Sequence, residues 1–195
     1  MDNFLWVEEF RPKRVADCIL PIQIKEVFQG FVEDGKIPNL LLSGPPGVGK
    51  TTVAKAMCDE IGVDHLMING SNEGRNIDTV RTLLQQYCSS VSMSGGRKVV
   101  IVDEADYMNA ESVQPALRRF IEEFSANVSF IFTCNFRNRI IDPIHSRCSV
   151  IEFTIPRSDK PKLGQDCLIR VKEILTAKGI KFDEKVLVEL VLKHF

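Results

Sequence analysis

Residues Gly44-Pro45-Pro46-Gly47-Val48-Gly49-Lys50-Thr51 fit the spacing G-x-x-x-x-G-K-[ST], and the fixed positions answer the needs of triphosphate binding. Glycines let backbone N–H groups turn inward and approach phosphate oxygens, and a helix opening at the end of the loop adds the partial positive charge of its N-terminus. Lys50 would reach the β- and γ-phosphates as a point charge, and the Thr51 hydroxyl would ligate Mg2+. Thr52 opens the following helix and completes the candidate nucleotide-contacting set. From average residue frequencies the bare pattern arises on the order of once in a hundred chains of this length. The strand before it (Leu40–Ser43) and the helix after it (Thr52–Ile61) lower that chance further.

A second motif answers the first. Lys98-Val-Val-Ile-Val-Asp103-Glu104 is an apolar run ending in two carboxylates. An Asp at the C-terminal end of a parallel strand adjoining the phosphate loop can hold Mg2+, directly or through water, and Glu104 could orient and deprotonate a water for in-line attack on the γ-phosphate. The alternative is that Asp103, Glu104 and Asp106 simply begin a solvated loop; the phosphate loop weighs against it, because a bound Mg-nucleotide needs such a carboxylate. One βα unit (His65–Val91) separates the two motifs. That spacing and the carboxylate pair favour hydrolysis by water over transfer to a second substrate, and the absence of an N-K-x-D sequence argues against a small GTPase.

Both motifs need a scaffold, and the apolar pattern supplies one. The candidate strands are Asn39–Ser43, His65–Asn69, Lys98–Asp103, Val128–Thr133 and Val150–Phe153. Each is continuously apolar, as expected of parallel strands covered by helices on both faces. Ile77, Val80, Leu83, Leu84, Tyr87, Cys88 and Val91 keep helical spacing; Val113, Ala116, Leu117, Phe120, Ile121 and Phe124 keep it more strictly. Ile22–Asp34 is predicted as a helix closed by Gly35. Pro115 restricts the start of the later helix. With Asn109 as N-cap it would break the interior hydrogen-bond ladder, whereas with Ser112 as cap it falls in the first turn, where no N–H is missed.

After Pro156 the strand pattern stops. Lys160–Lys178 carries a helical face of Leu163, Cys167, Leu168, Val171, Ile174 and Leu175, ended by Gly179, and Asp183 is predicted to cap a last helix running to Phe195. The predicted fold class is therefore α/β, a five-stranded parallel sheet with flanking helices over residues 1–156. The start of a small helical domain follows at 157–195 and is expected to be cut short.

Composition bounds the rest. The 195 residues carry 25 Lys+Arg and 26 Asp+Glu, a net charge of −1, with 44% hydrophobic and 26% charged residues. That is the composition of an ordinary globular protein and excludes a disordered chain, a collagen-like repeat or a coiled coil. It also removes any bulk electrostatic argument for nucleic-acid binding, so such a surface must be local. The first residues, MDNFLWVEEFRPKR, do not form a signal peptide, and the apolar runs are strand-sized, so a cytoplasmic protein without membrane association is expected. Six cysteines without a C-x-x-C pair or a histidine at ligand spacing are expected to be reduced core residues.

Further short motifs occur in fixed order: Trp6-Val-Glu-Glu-Phe-Arg11-Pro12, Gly44–Thr51, Asp103-Glu104-Ala105-Asp106, Gln114-x-x-Leu117-Arg118-Arg119, Thr133-Cys-Asn135 and Ser146-Arg147-Cys148. Together they closely resemble the AAA+ P-loop NTPase subunits of sliding-clamp loaders of the replication factor C type, nearest to the T-even bacteriophage branch. The resemblance runs from about Leu5 to the C-terminus. It implies that Arg11 and Pro12, with Val7 and Ile19, line an adenine pocket; that Asn135 senses the γ-phosphate; and that Asn69 holds Glu104 inactive until DNA binds. It implies that Arg147 is an arginine finger reaching the ATP of a neighbouring subunit, that Gln114 links the acidic motif to DNA-facing helices, and that Gly74-Arg75-Asn76 tracks template phosphates. The family's lid arginine and collar domain do not appear in the 195 residues.

The implied function is ATP-dependent opening of a sliding clamp and its placement at primer–template DNA, within a hetero-oligomeric ring of loader subunits that is a pentamer at full length. If the source is a phage, the work is done in the cytoplasm of the bacterial host. Physical chemistry supports parts of this reading. An arginine offered in trans is worth roughly 10³–10⁵ in rate. A helix opening at Arg75-Asn76 with Arg81 beyond is a credible phosphate contact, and weak contacts summed over subunits would reconcile DNA binding with the net charge. Arg118, Arg119, Arg137 and Arg139 could face DNA or serve as internal ion-pair partners. Two other readings stay open: another AAA+ DNA-associated machine such as a helicase loader or branch-migration motor, and a nucleotide-binding assembly subunit without turnover.

Overall fold

A computed structural model describes residues 5–72, 74, 76–92 and 95–194. The chain begins with the short helix α1 (Trp6–Glu9) and then α2 (Ile22–Asp34), which stops at Gly35 as the sequence predicts. The α/β core follows as β1 (Leu40–Ser43), α3 (Lys50–Ile61), β2 (His65–Asn69), α4 (Ile77–Ser89), β3 (Lys98–Asp103), α5 (Val113–Glu123), β4 (Val128–Cys134), α6 (Asp142–His145) and β5 (Ser149–Glu152). Two longer helices end it, α7 (Lys160–Ala177) and α8 (Glu184–His194).

The five strands form one all-parallel sheet in the order β2-β3-β4-β1-β5. Alternation along each strand sends side chains to two buried layers, because successive Cβ atoms point to opposite faces. Leu41, Val100, Val102, Phe130 and Phe132 pack against Val80 and Leu84 of α4 and Leu117 and Phe120 of α5. Leu40, Leu42, Val99, Ile101 and Ile131 pack on the other face against Phe28 of α2 and Val53 and Met57 of α3. Continuous apolar strands were the signature of this double covering, and the sheet needs it.

The strand that carries Asp103 does not adjoin the phosphate-loop strand, because β4 is inserted between β3 and β1. The chain leaves β1, crosses β4 and β3 to lay down β2, and then returns, so a crevice opens at the C-terminal ends of β1, β4 and β3. Ligands of open parallel sheets bind in such a crevice.

Several element ends, and one cap, differ from the sequence reading. Val91 lies beyond the end of α4 and is 91% exposed, because the helix stops at Ser89 and the chain turns out at Ser90. The helix after the phosphate loop begins at Lys50 rather than Thr52, since the Val53 N–H already bonds back to the Gly49 carbonyl at 2.9 Å. Helix α5 begins at Val113 with Ser112 before it, but the Ser112 side chain makes no cap. Asn109 does that work from outside the helix: its Oδ1 accepts from the N–H groups of Glu111 (2.8 Å) and Ser112 (2.9 Å). The predicted cap of α8 holds, with Asp183 Oδ1 accepting from the Lys185 N–H at 2.8 Å.

All six cysteines are free thiols, four of them buried, and burial pushes the Cys58 thiol up to about 12. Among the described residues no helix is long and apolar enough to cross a membrane.

Candidate nucleotide-binding and hydrolysis site

The loop Gly44–Gly49 leaves the C-terminal end of β1 and delivers Lys50 and Thr51 to the first turn of α3. Gly49 makes that delivery possible: its φ of +91° lies in the left-handed region, and a Cβ there would press within 3.1 Å of Leu20 Cδ2. Lys50 is only 7% exposed and its Nζ is held at the crevice by three acceptors. These are the carbonyl oxygens of Gly44 (2.8 Å) and Pro45 (2.7 Å) and the Asn135 Oδ1 (2.9 Å). Burial pulls the ammonium below its ordinary value, with negative groups around it, Asp103 and Asp106 among them, opposing the shift. An ammonium so placed gains from an incoming phosphate, because charge-assisted bonds are stronger than those to neutral carbonyls.

Asp103 ends β3 and meets Thr51 across the crevice: the Thr51 Oγ1 donates to Asp103 Oδ1 at 2.5 Å. The Thr133 hydroxyl of β4 donates to the same oxygen at 2.6 Å. Two hard oxygen groups thus sit at one point beside the phosphate loop, which suits Mg2+, a cation that takes oxygen ligands. Among the described residues no cluster of three His, Cys, Asp or Glu is present. The remaining oxygens of a bound Mg2+ would come from phosphates and water, the usual arrangement in nucleotide sites.

Glu104 follows with φ +53°, the sole left-handed residue other than glycine among the described residues. Such a conformation costs about 1–3 kcal/mol and persists where the surroundings enforce it. Here the Glu104 N–H donates to Thr133 Oγ1 at 3.0 Å, and its carbonyl accepts from the Tyr107 N–H at 3.0 Å. Gly70 closes on the same carbonyl so tightly that a Cβ at residue 70 would collide with it. The turn sets the half-buried Glu104 on the wall of a cavity of about 250 Å³. Gly47, Lys50, Thr51, Asp103, Thr133 and Asn135 also line it.

A second cavity, about 700 Å³, shares Pro46, Gly47, Gly49 and Thr52 with the first and continues away from the carboxylates. Pro45 and Val48 of the loop line it too. Its walls bring together Pro12 and Ile19 from before α2 and Leu163, Cys167 and Ile174 from α7. A phosphate-sized cavity that opens into a larger one with apolar walls fits a nucleotide, with polyphosphate in the first and base in the second.

Of the four residues implied for the adenine pocket, Pro12 and Ile19 line this cavity, whereas Val7 and Arg11 do not. Arg11 turns instead to Glu8, three residues earlier, at 2.5 Å, and Val7 is 74% exposed on the outer side of α1. Leu163, Cys167 and Ile174 of α7 line the cavity, together with Phe10 and with Pro45 and Val48 of the phosphate loop. The apolar stripe of α7 was legible in the sequence, but its place was not.

Asn135 follows β4, accepts from Lys50 and lines the smaller cavity. Its backbone position is fixed by Asp106, a buried carboxylate whose Oδ2 accepts from the N–H groups of Asn135 (3.3 Å) and Phe136 (3.1 Å). Asn69 ends β2 in register with Asp103, but its Oδ1 accepts from the Ser71 N–H (2.8 Å) and hydroxyl (2.7 Å). Among the described residues it makes no hydrogen bond with Glu104; the residue that meets Glu104 from this strand end is Gly70. Gln114 is buried and links three segments. Its Nε2 donates to the carbonyls of Met108 (3.1 Å) and Arg139 (2.9 Å), and its Oε1 accepts from the Ile141 N–H (2.9 Å).

Arg147 does not line the phosphate cavity of its own chain. Its guanidinium is bound to Glu122 of α5, by Nε at 2.9 Å and also by Nη2, and Nη1 donates to the Pro143 carbonyl at 2.7 Å. Bonding to Arg147 holds the Glu122 carboxyl below its ordinary value. Arg75 lies outside the described residues. Asn76 caps α4, its Oδ1 accepting from the Asp78 (2.9 Å) and Thr79 (3.3 Å) N–H groups, so two amides at this helix end are already used. Arg81 is exposed and in no ion pair among the described residues. Arg118, Arg119 and Arg137 pair with Glu122, Glu123 and Glu152, and Arg139 lies 4.6 Å over the Phe136 ring.

Comparisons with known proteins agree with this geometry. The family described as "ATPase family associated with various cellular activities (AAA)" matches residues 40–155. The "Sliding-clamp-loader large subunit" of Escherichia phage RB69 is 42% identical over 191 residues, covering 96% of this chain and 59% of that protein. The "Replication factor C small subunit" of Archaeoglobus fulgidus is 36% identical, covering 98% of this chain and 60% of that protein. The chain thus spans about three-fifths of the length of these relatives. Among solved structures, the Thermotoga maritima RuvB Holliday junction branch migration motor superposes with a TM-score of 0.70 at 19% identity, over 93% of this chain and 59% of that one. At that identity the likeness speaks to fold alone. With its P-loop crevice, its five-stranded parallel sheet and a family match over most of the α/β core, the chain belongs to the AAA family of ATPases.

Proposed function

We propose that this chain is the ATPase part of a sliding-clamp-loader subunit. It binds Mg-ATP, and in a ring of loader subunits it uses binding to open a clamp and place it at a primer–template junction, with hydrolysis releasing the loader. The observation that carries this reading is the 42% identity, over nearly the whole chain, to a protein named as a clamp-loader large subunit. In this reading residues 1–156 are the nucleotide-binding domain and residues 157–195 begin a helical lid over the base. The protein works in the cytoplasm, that of a bacterial host if it comes from a phage.

In this reading each site residue has a role. The phosphate-loop amides and Lys50 hold the polyphosphate, and Lys50 exchanges its carbonyl partners for phosphate oxygens. Thr51 and Asp103 would hold Mg2+, which when bound neutralises developing phosphate charge. Glu104 orients a water and takes its proton. Asn135 passes from Lys50 to the γ-phosphate, so loss of that phosphate is felt at the end of β4. Arg147 serves the ATP of a neighbouring subunit. Gln114 carries movement of the acidic turn to α5, and Asn69 restrains Glu104 through the turn it shares with Gly70 rather than by direct contact. The exposed Arg81, near the start of α4, is offered to template phosphates, with Asn76 holding the helix end in place.

The test of the clamp-loader reading is ATP turnover in the presence of partner subunits, a ring clamp and primed DNA. Clamp and primed DNA together are expected to raise turnover at least about tenfold, and stimulation by DNA that is indifferent to the clamp would point to a different AAA machine. The nucleotide site is tested separately. Lys50→Ala, which removes the charge-assisted contacts to phosphate, is expected to weaken ATP binding about a hundredfold by calorimetry, in line with the worth of such bonds. Unchanged affinity would remove Lys50 from the phosphate site.

A further inference from the structure

We propose that Thr133 is a positioning residue that sets both carboxylates of the acidic motif, orienting Asp103 toward the metal position and holding Glu104 in its left-handed turn. This rests on the reading of Asp103 as a metal-holding group and Glu104 as the base. Thr133 lies on β4, is 2% exposed and lines the phosphate cavity. A hydroxyl has one hydrogen to give and two lone pairs to receive with, and Thr133 uses both kinds at once. It gives its hydrogen to Asp103 Oδ1 at 2.6 Å and receives the Glu104 N–H at 3.0 Å.

The two bonds do different work. Asp103 Oδ1 takes both its hydrogen bonds from threonine hydroxyls, Thr51 at 2.5 Å and Thr133 at 2.6 Å, which fixes the rotation of the carboxylate. Among the described residues Oδ2 takes no hydrogen bond, so the same rotation turns that oxygen to the role a metal or its water requires. The second bond anchors the one non-glycine residue with positive φ among the described residues, at the point where the backbone leaves β3. Without that anchor the N–H of Glu104 would sit half-buried beside a methyl group, and the strained turn would lose one of the contacts that enforce it. The arrangement depends on β4 lying next to β3, with Val102 paired to Phe132 one residue before.

Two variants separate this role from simple packing. Thr133→Val keeps the shape and removes the hydroxyl; Thr133→Ser keeps the hydroxyl and removes the methyl. In the 195-residue chain, Thr133→Val is expected to raise the Mg2+ concentration needed for half-maximal tightening of a fluorescent ATP analogue about tenfold. That is the scale of losing a partner that orients a metal-holding group. Its affinity for the analogue in EDTA is expected to stay at the wild-type value, and Thr133→Ser is expected to restore the Mg2+ midpoint. Amide hydrogen exchange at Glu104, read without nucleotide, is expected to speed about tenfold or more in Thr133→Val and to remain protected in Thr133→Ser. If Thr133→Val folds poorly, Thr133→Ala carries the same expectations. A wild-type Mg2+ midpoint in Thr133→Val would overturn the proposal, as would wild-type protection of the Glu104 amide. Wild-type protein that showed no Mg2+-dependent binding of the analogue would instead overturn the nucleotide-site reading, and the amide measurement would still decide the role of Thr133.

Discussion

In an assembled ring, Arg147→Ala is expected to lower ATP turnover by about 10³–10⁵-fold, the worth of an arginine finger, while the substituted chain keeps its own ATP affinity. The retained affinity follows from the geometry. Arg147 touches no part of the phosphate cavity of its own chain, and its donors go to Glu122, Pro143 and Ser146. Removing it therefore leaves the local nucleotide site as it was. What is lost, in the proposed role, is a charge for the ATP of the neighbouring subunit. The Glu122 pair is exposed, and exposed ion pairs are weak enough to be exchanged for a phosphate when a neighbouring subunit presents one. Mixed assemblies in which a single subunit carries the change give the decisive readout: hydrolysis at the wild-type rate would end the finger assignment.

Glu104→Gln is expected to keep ATP affinity within about twofold and to reduce kcat by about 10²–10⁴, the contribution typical of a positioned general base. The substitution is close to isosteric, and the backbone features that hold residue 104, its N–H on Thr133 and its carbonyl on the Tyr107 N–H, do not involve the side chain. Only the ability to take a proton from water is removed. Single-turnover hydrolysis with ATP in place checks it, and a normal kcat would take Glu104 out of the mechanism.

The parts of the site that follow from local sequence were legible before any coordinates. Gly44–Thr51 specifies its own loop geometry, and the apolar run into Asp103 and Glu104 specifies a strand end. Both landed where their spacing put them, and so did all five strands to within a residue at either end. What the sequence did not carry was adjacency. Nothing in Lys98–Asp103 or Val128–Cys134 says that β4 inserts between β3 and β1, yet that insertion makes Thr133 the partner of both carboxylates. The outer wall of the larger cavity failed for the same reason. The stripe Leu163, Cys167 and Ile174 was evident as an apolar helix face, but its packing across the phosphate loop depends on the path of the chain after β5. Val7 and Arg11 stand apart from the cavity lining. Their motif suggested a pocket, but a short helix with Glu8 one turn from Arg11 satisfies the guanidinium locally.

Every step of the account requires that a triphosphate and its magnesium meet at the point where Thr51 and Asp103 already touch. A crystal structure of the chain with Mg2+ and a non-hydrolysable ATP analogue tests this directly. The predicted result has the β- and γ-phosphates on Lys50 Nζ and the phosphate-loop amides, the ion on the Thr51 hydroxyl, and Asp103 bonded to it or to one of its waters. An analogue whose phosphates lay elsewhere, or an ion held by other residues while Thr51 and Asp103 kept only each other, would contradict it.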